Sequence, residues 1–266
     1  MKLRLVLGAA MLALGAVALP LLLLPAAHAQ DEGAGGPPPP DPLLDAKFSF
    51  RGPFGTLDKA AAQRGLQIYK EVCSNCHGLY EMSYRNIAAL GFTEDQVKAF
   101  AAEYQVDDFN DKGEPVKRKA LPSDRFVRPF ANEAAAREAM NGAYPPDLAL
   151  IAKSRKGGPD YVYSLMQGYA DPPASMKMGD GLNYNKFFPG RQIAMPQPLT
   201  DGAVTFTDGS PNTLADEAKD VATFLEWAAE PEADERKQLG TWVILFLIPL
   251  TGLLYALKVS VWSKLH

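Results

Sequence analysis

The stretch EVCSNCHGLY, residues 71–80, holds both cysteines of the 266-residue chain and one of its three histidines. Two thiols at this spacing can add to the two vinyl groups of a haem. An imidazole on the next residue then lies under the iron, which is the mechanical content of a c-type attachment motif. Competing chemistries lack their other parts. A four-ligand zinc site needs a second ligand pair, and the chain has no further cysteine. A redox dithiol needs no histidine after its second cysteine and sits in a strand–helix setting absent around these residues. A disulfide across so short a span closes too small a loop to stabilise much. Cys73 and Cys76 are therefore the candidate covalent anchors of one haem c, and His77 a candidate iron ligand.

The ends of the chain bear on where that chemistry takes place. Lys2 and Arg4 precede an uncharged run to Ala29 that closes on Ala27-His28-Ala29, the pattern of a secretory signal cut before Gln30; its rival is an uncleaved anchor. A second run, GTWVILFLIPLTGLLYALKVSVW, carries no charge over the 18 residues from Gly240 to Leu257, about 27 Å of helix and enough to cross a bilayer. Its rival, a buried core helix, would show a polar face. The layout expected is a cleaved signal peptide at 1–29, an extended Pro/Gly-rich arm at 30–50, an exported haem domain at 51–238, a transmembrane helix at 239–258 and a cytoplasmic tail at 259–266. In a bacterium this puts the haem domain in the periplasm, anchored to the inner membrane by a single pass. Of 27 basic residues, Lys2, Arg4, Lys258 and Lys264 lie outside residues 30–238; the remaining 23 face all 31 acidic residues, a net charge of −8 for the middle segment. That balance argues against nucleic acid. It suits either steering of a basic protein partner or simple solubility.

Within the middle segment, LDKAAAQRGLQIYKEVCSNCHG places Ala62, Leu66, Tyr69 and Val72 at helical spacing, and a helix from about Leu57 is expected to deliver the motif at its C-terminal end, closed by Gly78. A second helix is predicted from Thr213, with Asp216 in capping position and an apolar stripe of Leu214, Val221, Phe224, Leu225 and Ala228, stopping at Pro231. NEAAAREAMNGA and PDYVYSLMQGY read as short helices, and GAVTFTDG as half a hairpin. The remainder is loop, rich in Pro and Gly.

The histidine count constrains the sixth iron position. His28 falls in the signal and His266 is the last residue, so His77 is the only histidine of the predicted exported domain and bis-histidine ligation is excluded. Met82 is only five residues from His77, and Met140 and Met166 sit in apolar helical patterns. Met176, Met178 and Met195 remain, and Pro196 and Pro198 favour Met195, because a Pro-braced loop loses less entropy on ligation.

Taken in order, FRGPFGTLDKAAAQRGLQIYKEVCSNCH, NGAYPPDLALIAKSRKGGPDYVYSLMQGY, GLNYNKFFPGRQIAMPQPL and KDVATFLEWAAEPEADERKQLG resemble the cytochrome c1 family, its proteobacterial form most of all. The resemblance implies a mainly α, cytochrome c-like haem domain with long loop insertions and one C-terminal transmembrane helix. It implies thioethers at Cys73 and Cys76, and His77 and Met195 as axial ligands. It also implies Arg155 and Tyr161 on the haem-propionate side and Pro146 behind the proximal histidine. The implied function is that of the electron-transfer subunit of ubiquinol–cytochrome c reductase, which breaks and makes no bond on its own. Its implied partners are cytochrome b and the Rieske iron–sulfur protein in a dimeric bc1 complex, with a cytochrome c as acceptor, in a respiratory or photosynthetic chain coupled to proton translocation. Some bacterial relatives brace the methionine loop with an extra cysteine pair; here Ala170 stands where certain of them have cysteine. The loop is expected to be held by packing alone, with Phe187, Phe188 and Pro189 as its candidates.

Overall fold

The computed structural model describes residues 39–263. The predicted signal peptide and the final three residues lie outside them. The described chain is mainly helical: α1 (Lys59–Glu71), α2 (Glu94–Ala101), β1 (Gln105–Phe109), β2 (Pro115–Lys119), α3 (Glu133–Ala139), α4 (Ile151–Ser154), α5 (Pro159–Gln167), β3 (Asn183–Tyr184), β4 (Gln192–Ile193), α6 (Leu214–Ala229) and α7 (Ala233–Trp262). Each long helix of the domain begins at a residue suited to the task. The Asp58 carboxylate accepts from Ala61 N and the Thr213 hydroxyl from Asp216 N, satisfying amides that the first turn leaves free.

The core is organised by α1 crossing α6. Gly65 lets the two backbones approach so closely that a Cβ there would collide with Asp220 O and lie 2.6 Å from Phe224 Cβ. Next to it the Arg64 guanidinium forks onto Asp220 at 2.6 and 3.0 Å, mostly out of solvent. Leu66, Ile68 and Tyr69 from α1 and Val221, Phe224 and Trp227 from α6 are buried along this seam, with Tyr69 and Phe224 rings 5.9 Å apart. The buried face of α6 includes the stripe expected from sequence, apart from Leu214, which is only partly buried.

Two expectations fail for instructive reasons. Residues 202–209 form no strand, although Val204 and Phe206 are buried in alternation as a strand's would be. Side chains replace the missing partner strand: Glu217 Oε1 accepts from Val204 N at 2.8 Å, and Asn212 Nδ2 donates to Val204 O at 3.0 Å. The hairpin lies elsewhere, where β1 pairs antiparallel with β2 across NDKGE, and Arg118 joins Asp108 to Asp124. Gly78 does not close α1. That helix ends at Glu71, a 3₁₀ turn over Cys73–Asn75 follows, and Gly78 is not among the glycines with positive φ.

Glu217 is fully buried, and its Oε2 has no hydrogen-bond partner among the described residues. Burial holds its carboxyl above the ordinary range, against the opposing bond from Val204 and with a further push from Asp201 and Asp220. A raised acid favours the protonated fold. Its contribution is complete below the unfolded value of 4.5 and is lost as pH rises through the folded value.

α7 runs about 45 Å at 1.5 Å per residue. Its large apolar side chains from Leu239 to Trp262, Leu250 excepted, are 45–70 % exposed, so the described chain leaves them uncovered. Its head is tied to the domain. Asp234 accepts from Leu57 N, and Lys237 Nζ donates to Phe50 O and Gly55 O.

Gly65→Ala should lower stability by about 1–3 kcal/mol through overpacking at the crossing, read as a fall in the thermal midpoint; an unchanged midpoint would mean the helices can separate freely. Glu217→Gln should raise stability by about 1–2 kcal/mol at neutral pH and lose that gain below roughly pH 4.5, since Gln keeps the acceptor for Val204 without a buried charge. Melting curves at both pH values check it.

Candidate functional site

The α1–α6 crossing fixes where the attachment motif emerges. Cys73 opens the 3₁₀ turn that follows α1, and His77 N donates to Cys73 O at 2.9 Å, so the turn presents Cys73, Cys76 and His77 as one compact unit. Tyr69, one α1 turn before the motif, donates its hydroxyl to His77 O at 3.0 Å. Burial pushes the Cys73 thiol up to about 12, with a smaller contribution from Cys76, so its sulfur is an uncharged thiol at neutral pH.

Two hydrogen bonds stitch this segment to the YPPDLA loop, and a third orders the loop itself. Leu148 N donates to Gly78 O at 2.9 Å, Tyr80 N to Asp147 Oδ2 at 2.8 Å, and Asp147 Oδ1 accepts from Ala149 N at 2.9 Å. This close approach is what Gly78 is for: a Cβ there would sit 2.9 Å from Asp147 Oδ2. The stitch brings Pro146 O to 2.7 Å from His77 Nδ1. A carbonyl can only accept, so Nδ1 bears the proton and Nε2 is left as an unprotonated donor atom. Burial pulls the His77 imidazole below its ordinary range, opposed by the bond to Pro146 and the charge of Asp147. A neutral imidazole with a fixed tautomer and a bare Nε2 is the form that ligates iron. Beside it lies a cavity of about 260 Å³ lined by Cys76, Tyr80, Arg128, Tyr144, Pro145 and Leu150. Arg125 and Arg128 both lie over the Tyr80 ring, at 4.7 and 3.6 Å from its centroid.

Met195 lies on the far part of the chain, two residues past β4, and is partly buried against the same core that receives Cys73, Tyr161 and Tyr169. Its carbonyl accepts from Tyr169 Oη at 3.1 Å and Asn183 Nδ2 at 3.3 Å. The expectation of packing alone is thereby corrected: hydrogen bonds pin this loop. Asn185, fully buried, donates to Leu165 O and accepts from Phe187 N, β3 pairs with β4, and Gln192 Oε1 accepts from Gly179 N. Met82 and Met166 are core residues. Met176 and Met178 are partly exposed on an irregular loop.

Arg155 is exposed and makes no ion pair among the described residues. It lies close enough for its charge to oppose the upward push of burial on Tyr161, and burial likewise raises the neighbouring Tyr169, with a smaller push from Tyr161. Arg155, Tyr161, Tyr169 and Met195 thus form a second group, while Cys73, Cys76, His77 and Pro146 form the first. Sequence reasoning missed the positioning residues Tyr69, Asp147, Tyr169 and Asn183. Of these only Asp147 carried a signal, as an Asp directly after two prolines.

Comparison with known proteins gives the family. The sequence model of the Cytochrome C1 family matches residues 48–265. A "Cytochrome c1" of Blastochloris viridis is 46% identical over 238 residues, covering 81% of this chain and 84% of the relative. A mitochondrial "Cytochrome c1, heme protein" of Saccharomyces cerevisiae is 47% identical over 219 residues, covering 82% and 69%. The "Cytochrome b/c1" of Bradyrhizobium diazoefficiens is 45% identical over 259 residues; the alignment covers 89% of this chain but 37% of that longer relative.

Asp147→Ala removes two charge-assisted acceptors from the stitch and should cost about 2–3 kcal/mol. The expected outcome is a lower thermal midpoint and a smaller ratio of bound haem to polypeptide. Normal loading and melting would show that the loop holds its place without Asp147.

Proposed function

Since the chain belongs to the cytochrome c1 family, the haem-bearing electron-transfer subunit of the cytochrome bc1 complex, we propose that Cys73 and Cys76 bind haem c covalently, one per chain, with His77 and Met195 as its axial ligands. When bound, haem c supplies a one-electron ferric/ferrous couple. The observation that carries this assignment is the 2.7 Å contact of His77 Nδ1 with Pro146 O, which leaves Nε2 as a donor within the attachment motif itself.

The chain's side chains then have separable tasks. Pro146 O holds the His77 tautomer and ring orientation. Tyr69 and Asp147 hold the backbone on either side of that ring. Tyr169 and Asn183 hold the carbonyl of Met195, so the thioether sulfur is presented by a loop that is already ordered. A soft thioether favours the reduced state relative to a second imidazole and so sets a higher potential. The Arg155 guanidinium, unpaired among the described residues and close to Tyr161, is suited to a haem propionate. With His77 and Met195 both given to the haem iron, no iron site would be left for a substrate, and the chain would serve as a relay with no bond chemistry of its own.

The relay runs from the Rieske iron–sulfur protein, reduced beside cytochrome b, to a cytochrome c. The exported segment, residues 30–238, carries a net charge of −8, with 23 basic against 31 acidic residues, which suits a basic acceptor. The layout that supports this is a signal peptide at 1–29, an arm at 30–50, a periplasmic haem domain at 51–238, a membrane span at 239–258 and a cytoplasmic tail at 259–266. The uncovered apolar surface of α7 favours anchorage in the bacterial inner membrane.

The test is optical. The purified protein should show a c-type alpha band on reduction and a weak far-red band of sulfur ligation when oxidised. Met195→Leu should abolish the far-red band and lower the midpoint potential. A retained band would move the ligand to Met176 or Met178, and a colourless polypeptide would end the proposal.

A further inference from the structure

Arg191 is one of three non-glycine residues among those described with positive φ, at 58°. An arginine gains nothing from that conformation, and it persists only where surrounding contacts determine it. Here the guanidinium and the backbone are both fully engaged. Nε donates to Pro39 O at 3.0 Å, one terminal nitrogen to Asp41 Oδ1 at 2.6 Å and the other to Tyr184 Oη at 3.1 Å. Arg191 N donates to Phe188 O and its carbonyl accepts from Asn185 N. Arg191 therefore ties residues 39–41, at the far N-terminal side of the described chain, to β3 on one side and to the first residue of β4 on the other. Met195 follows four residues later.

The N-terminal segment is held along its length. Asp41 N donates to Lys186 O at 2.9 Å, Leu44 N to the buried Ser164 hydroxyl at 2.9 Å and Ala46 N to Asp160 Oδ1 at 3.3 Å. Leu43 packs so tightly on Gly157 that a Cβ there would collide with it, and Ala46 and Phe48 are core residues. Residues 39–48 thus lie across the Arg155–Tyr161 segment and end on the methionine loop. A flexible arm would do none of this.

We infer that residues 39–48 are a strap, with Arg191 and Asp41 as its buckle, that keeps the Met195 loop closed in a chain that has no cysteine pair to brace it. The inference rests on the reading of Met195 as the sulfur ligand. Arg191 and Asp41 touch neither iron nor haem in this scheme; they are positioning residues acting through β3 and β4. A thioether is a weak ligand, so its occupancy depends on how often the loop opens, and loop opening is a local equilibrium separate from global unfolding. Loss of the buckle shifts that equilibrium while the α1–α6 crossing, to which neither Arg191 nor Asp41 is hydrogen-bonded, stays intact.

The experiment compares holoprotein of the parent chain with Asp41→Asn, Arg191→Lys and Met195→Leu. For Asp41→Asn and Arg191→Lys the open fraction should rise roughly five- to thirty-fold, as expected for loss of one charge-assisted bond in a population already mostly closed. That rise is read as faster carbon monoxide binding to the ferrous protein, and as loss of the far-red band at temperatures where helical circular dichroism is unchanged. The double variant should add little to either single one, because both remove the same contact. A variant that merely destabilised the fold would lose band and circular dichroism together, and would overturn the strap. So would carbon monoxide rates and band melting equal to the parent in both single variants. Met195→Leu separates the two readings: if it abolishes the band while the buckle variants are silent, only the strap fails; if it leaves the band in place, Met195 is not the ligand and the strap falls with it.

Discussion

The close contact of α1 with α6 at Gly65 is the constraint from which the rest of the domain follows. Because no side chain separates the helices there, Arg64 can reach Asp220 and Tyr69 can stack near Phe224, and the pair becomes a rigid corner. The residues that follow Glu71 leave this corner in a fixed direction, so the attachment motif is placed by helix packing rather than by its own loop. A haem bound by two thioethers and an imidazole needs three groups in one orientation at once. A stiff helix end provides that at little entropic cost.

Long irregular segments raise a different difficulty, since each buried amide and carbonyl needs a partner. This chain meets it with side chains in place of strands. Glu217 and Asn212 serve Val204, Asn185 serves Leu165 and Phe187, Asp147 serves Tyr80 and Ala149, and Tyr169 with Asn183 serves Met195. Such bonds are short-range and directional, so they hold one loop geometry where apolar contact alone would accept several. The same device accounts for Glu217, which satisfies one amide while its second oxygen has no partner among the described residues.

How much of this could be read beforehand depended on whether a feature is local. The two long helices showed themselves by apolar spacing, the second also by its Thr213 start with Asp216 in capping position, and the motif by adjacent residues with one shared chemistry. The residues 202–209 misled because alternation of Val204 and Phe206 reports burial, and burial alone does not say what completes the backbone's hydrogen bonds. The β1–β2 hairpin was overlooked because half of its strand residues are charged, with Asp107 facing Lys117 and little apolar alternation to detect. Tyr169, Asn183 and Asn185 were not legible as braces, because their roles depend on partners from two to twenty-six residues away. The link from Asp41 to Arg191, across 150 positions, has no sequence signature.

Only Glu230, Pro231 and Glu232 separate the end of α6 from the start of α7, and Asp234 and Lys237 fasten that junction to the loop at 50–57. A connector this short, pinned on two sides, leaves no slack for swinging or stretching. The domain is consequently held at one fixed distance from the start of its apolar helix, with no tether on which to swing. Any travel in the electron relay falls to other carriers.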